Sequence, residues 1–183
     1  MKCFAESGLA DTSIRDVARA ARTSPGLVQH HFKTKAGLRR AVNEYVTAVV
    51  LDAFTDPSEY EEADDPIQAA GDLITAFVAG NPTALRYLGR AIVEGDSEAR
   101  RVFDAFVGVI LTNLRRLADK GSLHRDLDLE WAAMHLVIFN MSTLLFEPAI
   151  ETNLPAPLFE PQQLRRWNVA TTELYRRGLF RRP

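Results

Sequence analysis

The chain has 183 residues, 46% of them hydrophobic, which is enough to bury a full core and excludes an intrinsically disordered protein. Its single cysteine, Cys3, excludes an internal disulfide and a cysteine metal cluster. No signal peptide opens the sequence, and its most apolar stretch, 134–146, is interrupted by His135 and Asn140 and is too short to span a membrane. We therefore expect a cytoplasmic protein with no membrane partner.

The formal net charge of −2 conceals an uneven distribution of charge along the chain. Residues 1–46 hold eight Lys and Arg residues against four acidic ones, whereas the remaining 137 residues hold 14 basic and 20 acidic residues. A small basic module on a larger acidic body is typical of a protein that binds a polyanion at one end. The alternative is that the charges are distributed by chance over solvated helix surfaces. Charge alone does not decide between polyanion binding and this alternative.

Short helices are predicted at the start of the basic module. The first ends at Ser7, because Gly8 is a natural stop. The second begins after Ser13, an effective N-cap residue with Asp16 three positions further on. Its apolar stripe has helical spacing and consists of Ile14, Val17, Ala18 and Ala21.

The next predicted helix starts at Pro25, after the N-cap candidate Ser24, because proline is tolerated at the first helical position. The positions expected to face inward are Leu27, Val28 and Phe32. The positions expected to face outward are Gln29, His30 and His31. Thr34 can cap a longer helix that opens with Lys35. Two short helices joined by a tight turn form a helix-turn-helix unit, whose second helix enters the DNA major groove.

The rest of the chain is also predicted to be helical. The helix from Lys35 continues to about Phe54 and links the basic module to the body. Residues 55–65 contain six acidic residues and no basic one, which indicates a solvated linker or, alternatively, a negative rim that disfavours anionic ligands. Further helices are predicted at 66–79, 82–93, 98–120, 129–146 and 161–177, with Ser97 and Asp128 as caps and an irregular connection at 148–161. We predict an all-α fold with domains at 1–46 and 47–183.

Four segments of the N-terminal region carry a resemblance to a known family: Phe4-Ala5-Glu6-Ser7-Gly8, Thr12-Ser13-Ile14-Arg15-Asp16-Val17-Ala18, Ser24-Pro25-Gly26-Leu27-Val28-Gln29-His30-His31-Phe32, and Lys35 with Leu38. They look like the TetR/AcrR family of one-component transcriptional repressors. The match runs from Phe4 to about Val46, a quarter of the chain. It implies a three-helix DNA-binding domain followed by a larger helical domain for effector binding and dimerisation.

The same resemblance implies a function. The chain is expected to be a ligand-responsive repressor that binds a pseudo-palindromic operator as a homodimer and is released by a small apolar or aromatic effector. The implied partners are double-stranded DNA, that effector and a second copy of the chain. No cofactor is expected.

Three features depart from the family pattern. Arg22 stands in the turn where the family usually has Gly, and a left-handed backbone there costs Arg roughly 1 kcal/mol. Gln29 replaces the usual Tyr on the recognition helix, and Gln can read adenine with two hydrogen bonds, so the site read can differ. The family's first helix is also longer, and about two of its turns are absent from this sequence, either natively or through the numbering.

The DNA-contacting positions carried over from the family fall into two groups. Those expected to contact phosphates are either Thr12 or Ser13, together with His31 and Lys35. Those on the expected base-facing surface are Arg15, Thr23, Ser24, Gly26, Gln29 and His30. Lys35 is the strongest candidate, because its charge stands at a helix N-terminus where free N–H groups also attract a phosphate.

The body is expected to hold the effector in a largely apolar chamber with few polar groups. The expected lining residues are Phe77, Tyr87, Phe103, Phe106, Trp131, His135 and Phe139, for most of which a plain core role is the alternative. The expected dimer interface uses the last two long helices, through Met141, Leu145, Leu164, Trp167 and Leu174. His135 and Asn140 are polar within the most apolar helix, and buried polar groups need partners.

Other classes of function fit the sequence poorly. No nucleophile motif, paired-histidine helix motif or glycine-rich phosphate loop is present, so we do not expect an enzyme. Neighbours on a helix such as His30 and His31 diverge by about 100° and rarely share a metal, so no metal site is expected. The alternative kept open is a helical small-molecule-binding or interaction module that no longer binds DNA.

Overall fold

The computed structural model describes residues 1–56 and 63–180, in which the regular structure is helical and one isolated bridge joins Leu123 to Phe180. The helices are α1 (Lys2–Ser7), α2 (Ile14–Ala20), α3 (Pro25–Phe32), α4 (Lys35–Phe54), α5 (Pro66–Gly80), α6 (Pro82–Val93), α7 (Ser97–Asp119), α8 (Leu129–Leu145), α9 (Glu147–Glu151) and α10 (Pro161–Leu179). The all-α prediction is confirmed. None of these helices combines the length and apolarity needed to cross a membrane.

The predicted helix starts agree with the observed caps. Ser13 and Asp16 form a reciprocal capping box at α2, and Ser24 accepts a hydrogen bond from the backbone N–H of Leu27 at the start of α3. Thr34 caps α4 and Asp128 caps α8 in the same way. These side chains satisfy N–H groups that the first helical turn cannot pair internally.

Two predictions about the body are corrected. The cap of α7 is Asp96 rather than Ser97, since the Asp96 carboxylate accepts the N–H of Ala99 at 2.8 Å. The segment predicted to be irregular contains a short helix, α9, which follows α8 almost without a break. Much of the predicted acidic linker, residues 57–62, lies outside the described residues. The domain boundary after residue 46 stays a prediction, and α4 continues through it.

The N-terminal module packs on the body through α1 and α4. Phe4 of α1 is buried, and its ring lies 6.1 Å from that of Tyr87 on α6. The Tyr87 hydroxyl donates to Asn43 of α4 at 2.8 Å, and burial raises the pKa of Tyr87 to about 12. Through Tyr87, α6 therefore contacts both α1 and α4.

The body helices approach closely where glycine allows it. A Cβ added at Gly71 on α5 would overlap the Thr172 hydroxyl on α10, and one at Gly89 on α6 would overlap Leu145 on α8. Around these contacts, α7 packs between α4 and α8, and three phenylalanines meet in the core. Phe54 lies 4.8 Å from Phe77 and 5.3 Å from Phe106, measured between ring centroids.

Polar contacts join the module to the turn between α6 and α7. The N–H of Leu9 donates to Glu94 at 2.8 Å, and Arg90 donates to the carbonyl of Glu6 at 2.9 Å. Arg39 of α4 forms an ion pair with Asp96, whose side chain is 1% exposed. Asp96 thus caps one helix and neutralises a cation on another.

We expect Asp96→Ala to lower the free energy of unfolding by about 2–4 kcal/mol, because it removes a helix cap and leaves the Arg39 guanidinium without its charged partner. Asp65 is a matched control, since it caps α5 and pairs with Arg176 but has a half-exposed side chain. Asp65→Ala should cost about 1–2 kcal/mol. Urea denaturation followed by circular dichroism measures both losses, and equal losses would contradict a special role for the buried pair.

Candidate nucleic-acid interface and internal cavity

The turn between α2 and α3 sets the angle of the second helix. Arg22 has a φ of 53°, so the left-handed backbone expected at this position is confirmed. The N–H of Thr23 donates back to the carbonyl of Ala18 at 2.9 Å, which closes the end of α2. Lys33, at the end of α3, also has a positive φ of 62°, a feature for which the sequence showed no signal.

One face of α3 is anchored and the other is open to solvent. Val28 is buried and Phe32 is half-buried, as predicted. The exposed positions of α3 and its cap include Ser24, Gly26, Gln29, His30 and His31. Leu27 is 49% exposed, so the prediction that it faces inward is wrong. Only a few side chains of an eight-residue helix can face the core. On α3 these are Val28 and Phe32, and Leu27 lies next to them on the exposed side.

The residues flanking α3 differ in their surroundings. Arg15 on α2 is exposed, and Thr23 is half-buried in the turn. Ser13 is exposed while its hydroxyl is engaged with Asp16, and these hydrogen bonds hold the pKa of the Asp16 carboxyl below its usual range. The ammonium group of Lys35, the first residue of α4, donates a hydrogen bond to the carbonyl of Ala10 at 2.9 Å. That bond holds the cation against the connection between α1 and α2, close to Thr12 and Ser13.

Thr12 has a structural role instead of the expected one. It is 1% exposed, and its hydroxyl lies 2.7 Å from the carbonyl of Gly8 and 3.0 Å from that of Cys3. The predicted phosphate contact by the Thr12 side chain is therefore wrong. Its hydroxyl ties the α1–α2 connection to the end of α1, and the exposed neighbour Ser13 is left as the candidate at this point.

An internal cavity of about 110 Å³ lies among α4, α5, α7, α8 and α10. A smaller one of about 50 Å³ lies beside it. The two share five lining residues, which are Phe54, Ile74, Ile110, Leu136 and Asn140. Within the part of the chain that the structure describes, neither is lined by an acidic, basic or histidine side chain.

Polar groups enter the larger cavity at a few points. The Asn140 amide donates to the carbonyl of Leu136 at 2.7 Å and to the Tyr175 hydroxyl at 3.0 Å. Burial raises the pKa of the Tyr175 hydroxyl well above its usual range. Asn113 donates to the backbone carbonyl of Phe54 at 3.1 Å and so holds the last turn of α4 against the wall.

The residues predicted to line the effector chamber divide into three groups. Phe77 and Phe106 line the smaller cavity. Tyr87 is fully buried away from both cavities, and Phe103 packs against the core without lining either. Trp131, His135 and Phe139 lie on the exposed outer face of α8, where the Trp131 and His135 rings are 5.3 Å apart. The prediction that the effector chamber is lined by Tyr87, Phe103, Trp131, His135 and Phe139 is therefore wrong for these two cavities.

The predicted interface residues are also divided by the structure. Met141 is 6% exposed and lines the smaller cavity, so its place in an interface is corrected. Trp167 and Leu164 are half-buried, and Trp167 lines the larger cavity. Leu145 and Leu174 are exposed in this single chain. So are Trp131, Ile138, Phe139 and Phe146 on or directly after α8, and Val169 on α10.

Part of the cavity wall was not predicted from the sequence. Tyr175 and the α10 threonines Thr171 and Thr172 line the larger cavity but were not singled out. A signal for them existed, since a tyrosine on the inward stripe of an amphipathic helix needs a hydrogen-bond partner. Among the described residues, no cluster of three or more His, Cys, Asp or Glu side chains could hold a metal ion.

Known structures share this architecture. A TetR-family regulatory protein from Rhodococcus RHA1 has a TM-score of 0.74 at 21% identity, covering 99% of this chain and 93% of that one. The TetR-family regulator PfmR from Thermus thermophilus has a TM-score of 0.67 at 21% identity, covering 98% and 96%. The fatty acid degradation regulator FadR from Bacillus halodurans has a TM-score of 0.71 at 15% identity, covering 93% and 87%. At these identities the likeness shows the shared fold alone.

Sequence-level comparisons assign the family. No curated protein sequence matches the chain significantly. A family model described as bacterial regulatory proteins of the tetR family matches residues 1–42. A second, described as the C-terminal domain of tetracyclin repressor-like proteins, matches residues 81–181, more than half of the chain. With an exposed recognition helix in the first region and an all-helical body in the second, the chain belongs to the TetR family of DNA-binding transcriptional regulators.

Proposed function

We propose that this regulator is a repressor that binds a pseudo-palindromic operator as a homodimer and releases it when a small, largely apolar effector enters the body. The observation that carries the proposal is the position of α4. Lys35 at its start lies beside the exposed recognition helix, and Phe54 at its end forms part of the cavity wall. An effector and an operator therefore act on the two ends of one helix.

The exposed surface of the module supports DNA contact along α3. Gln29 and His30 project from the recognition helix with hydrogen-bonding groups suited to base edges. Leu27 adds an exposed apolar side chain that can meet a thymine methyl group. Ser13, Arg15 and His31 flank this surface at positions suited to phosphates, and Lys35 does so from the N-terminus of α4.

The outer face of α8 and α10 supports homodimerisation. Large apolar side chains are exposed there on two neighbouring helices, a pattern that marks interaction surfaces. A two-fold dimer built on this face would present two recognition helices to half-sites about 34–36 Å apart or more. Two modules together supply the interface area that selective binding requires.

Effector control follows if the two binding events favour different positions of α4. A ligand shifts an equilibrium only by its difference in affinity for the two states. A ligand in the cavity touches Phe54 directly, and Phe54 contacts Phe77 and Phe106 on neighbouring helices. Displacing this side chain would tilt α4 and change the spacing of the half-sites.

A helical binding module that has lost DNA binding is the second candidate. The observation that favours it is Arg22, whose left-handed backbone is strained in the turn that orients α3. A mobility-shift assay with the DNA upstream of the protein's own gene separates the two candidates. A discrete shifted complex supports the repressor, and no shift at any salt concentration supports the binding module.

We expect Lys35→Ala to weaken binding to all DNA sequences and to flatten the dependence of log K on log salt by about one unit for each bound protomer. The reason is the loss of one phosphate contact per protomer. Lys120→Ala is the control, because Lys120 follows α7 in the body, outside the N-terminal module, and its replacement removes the same charge. A salt titration in which both variants keep the wild-type slope would remove Lys35 from the DNA contact surface.

Gln29→Ala should change sequence preference more than total affinity, because a base contact carries discrimination of about 1–3 kcal/mol while phosphate contacts carry most of the binding. Selection from a randomised operator library, with wild type and variant in parallel, measures the preference. Gln162→Ala, at an exposed glutamine on α10, serves as the control. Recovery of the same operator by all three proteins would contradict base reading by Gln29.

Val169→Asp should shift the protein from dimer to monomer, with a dimer dissociation constant about tenfold higher or more, because an unpaired carboxylate would be buried in the interface. Val93→Asp makes the same change at a valine of comparable exposure on α6, 75% against 63%, and should leave the dimer intact. Light scattering at micromolar concentration distinguishes the two. A dimer that tolerates Val169→Asp would place the interface elsewhere.

A further inference from the structure

The chemistry of the cavity wall restricts what the effector can be. The wall of the larger cavity is mostly aliphatic and aromatic, and among the described residues it holds no ionisable acid or base other than the Tyr175 phenol. The neighbouring charges do not line the cavity: Arg176 pairs with Asp65 at 2.7 Å and Arg177 with Glu173 at 2.6 Å. The Asp72 carboxylate accepts hydrogen bonds from Gln68 and from Asn168 of the wall. A charged ligand would lose its hydration without gaining a counter-ion.

One hydrogen-bond acceptor in the wall has no protein partner. The Asn140 amide nitrogen donates to two oxygens, the Leu136 carbonyl and the Tyr175 hydroxyl, which fixes the orientation of the amide. Its carbonyl oxygen is buried and accepts no hydrogen bond from any residue within 1–56 and 63–180. Buried acceptors are normally satisfied, so a ligand donor that reached this oxygen would supply the missing hydrogen bond.

Tyr175 provides the complementary group. Its hydroxyl oxygen accepts from Asn140, and no acceptor for its own proton is found among the residues that the structure describes. The two side chains therefore offer one free acceptor and one free donor, close together on the same wall. A hydroxyl group is the smallest neutral group that donates to one and accepts from the other.

The size of the space sets a second restriction. The two adjoining cavities have volumes of about 110 Å³ and 50 Å³. An engineered apolar protein cavity of roughly 150 Å³ binds benzene. The cavity as it stands is suited to a single ring or a short branched chain rather than to a steroid or a long acyl chain.

We propose that the effector is a neutral, hydroxyl-bearing compound of about one ring, such as a phenol or a cyclic alcohol, whose hydroxyl is bound by Asn140 and Tyr175 while its hydrocarbon part contacts Phe54 and the aliphatic wall. The inference rests on the proposed function, because it names the effector class of that regulator. It also makes Trp167, which lines the larger cavity, a direct reporter of occupancy.

Three probes of one ring test the proposal: phenol, toluene and benzoate. Binding to the protein is measured by calorimetry with the wild type and by Trp167 fluorescence in a Trp131→Phe variant, where Trp167 is the remaining one of the two tryptophans. Light scattering checks that this variant keeps the oligomeric state of the wild type. We expect phenol to bind about tenfold or more tightly than toluene, and benzoate to bind more weakly than either. Toluene binding as tightly as phenol, benzoate binding most tightly, or phenol failing to bind would overturn the proposal.

Two variants locate the hydroxyl. Tyr175→Phe keeps the ring and removes one hydrogen-bonding group, and Asn140→Leu removes the other at similar size. Each should lower the affinity for phenol about tenfold and leave that for toluene nearly unchanged. Tyr45→Phe is the matched control on the exposed side of α4 and should change neither affinity. An undiminished preference for phenol in Tyr175→Phe, which preserves the packing, would overturn the assignment.

A mobility-shift assay without any probe separates this inference from the proposed function. Protein that binds an operator but shows no preference for phenol leaves the proposed function intact and removes the effector class. Protein that binds phenol as expected but no DNA removes the repressor and leaves the cavity assignment intact. Release of the operator by phenol, and its absence in Tyr175→Phe at the same concentration, supports both together.

Discussion

The structure depends on one helix that belongs to two cores. α4 contributes Leu38 to the packed interior of the N-terminal module and Phe54 to the aromatic cluster of the body. Between them, Val46 and Val50 are almost completely buried. A helix of 20 residues extends about 30 Å and resists bending along its length. In the proposed mechanism, a movement of its last turn would reach its first turn, where Lys35 and the recognition helix lie, as a tilt about the held residues Arg39 and Asn43.

The surroundings of α4 restrict which movements are available. Near its start, Arg39 is paired with Asp96, and Asn43 accepts a hydrogen bond from Tyr87. Buried polar pairs of this kind tolerate little displacement, because a separated partner is left without a hydrogen bond in a low-dielectric interior. Near its end, the neighbours of Phe54 are apolar rings and a cavity. Because polar pairs hold α4 near its start and a cavity lies beside its end, a rotation of α4 about its start is favoured over a shift of the whole helix.

The body also separates two apolar surfaces that face opposite ways. The inner faces of α8 and α10 enclose the cavity with Leu136, Asn140 and Tyr175. Their outer faces expose apolar side chains such as Ile138 and Val169. An effector bound inside and a second protomer bound outside would contact the same two helices. In the proposed homodimer, effector binding would then be coupled to dimer geometry through helices that both of them touch.

The sequence by itself determined the local features of this protein. Caps at Ser13, Ser24, Thr34 and Asp128, and the proline at Pro25, act through neighbours a few residues away, so the helix starts could be predicted directly. The left-handed backbone at Arg22 was predicted because the family resemblance placed a turn there. The resemblance also identified the recognition helix and with it the family.

Only the tertiary structure decided which faces are inside. α8 is apolar on nearly all sides, so its sequence pattern does not show which side faces the core. The exposed residues Trp131, His135 and Phe139 could therefore not be distinguished in the sequence from Leu136 and Met141, which line the cavities. The same reason applies to Thr12 and Leu27, a polar residue that is buried and an apolar one that is exposed. Burial is a property of packing between distant segments, and a one-dimensional pattern records only which residues could be buried.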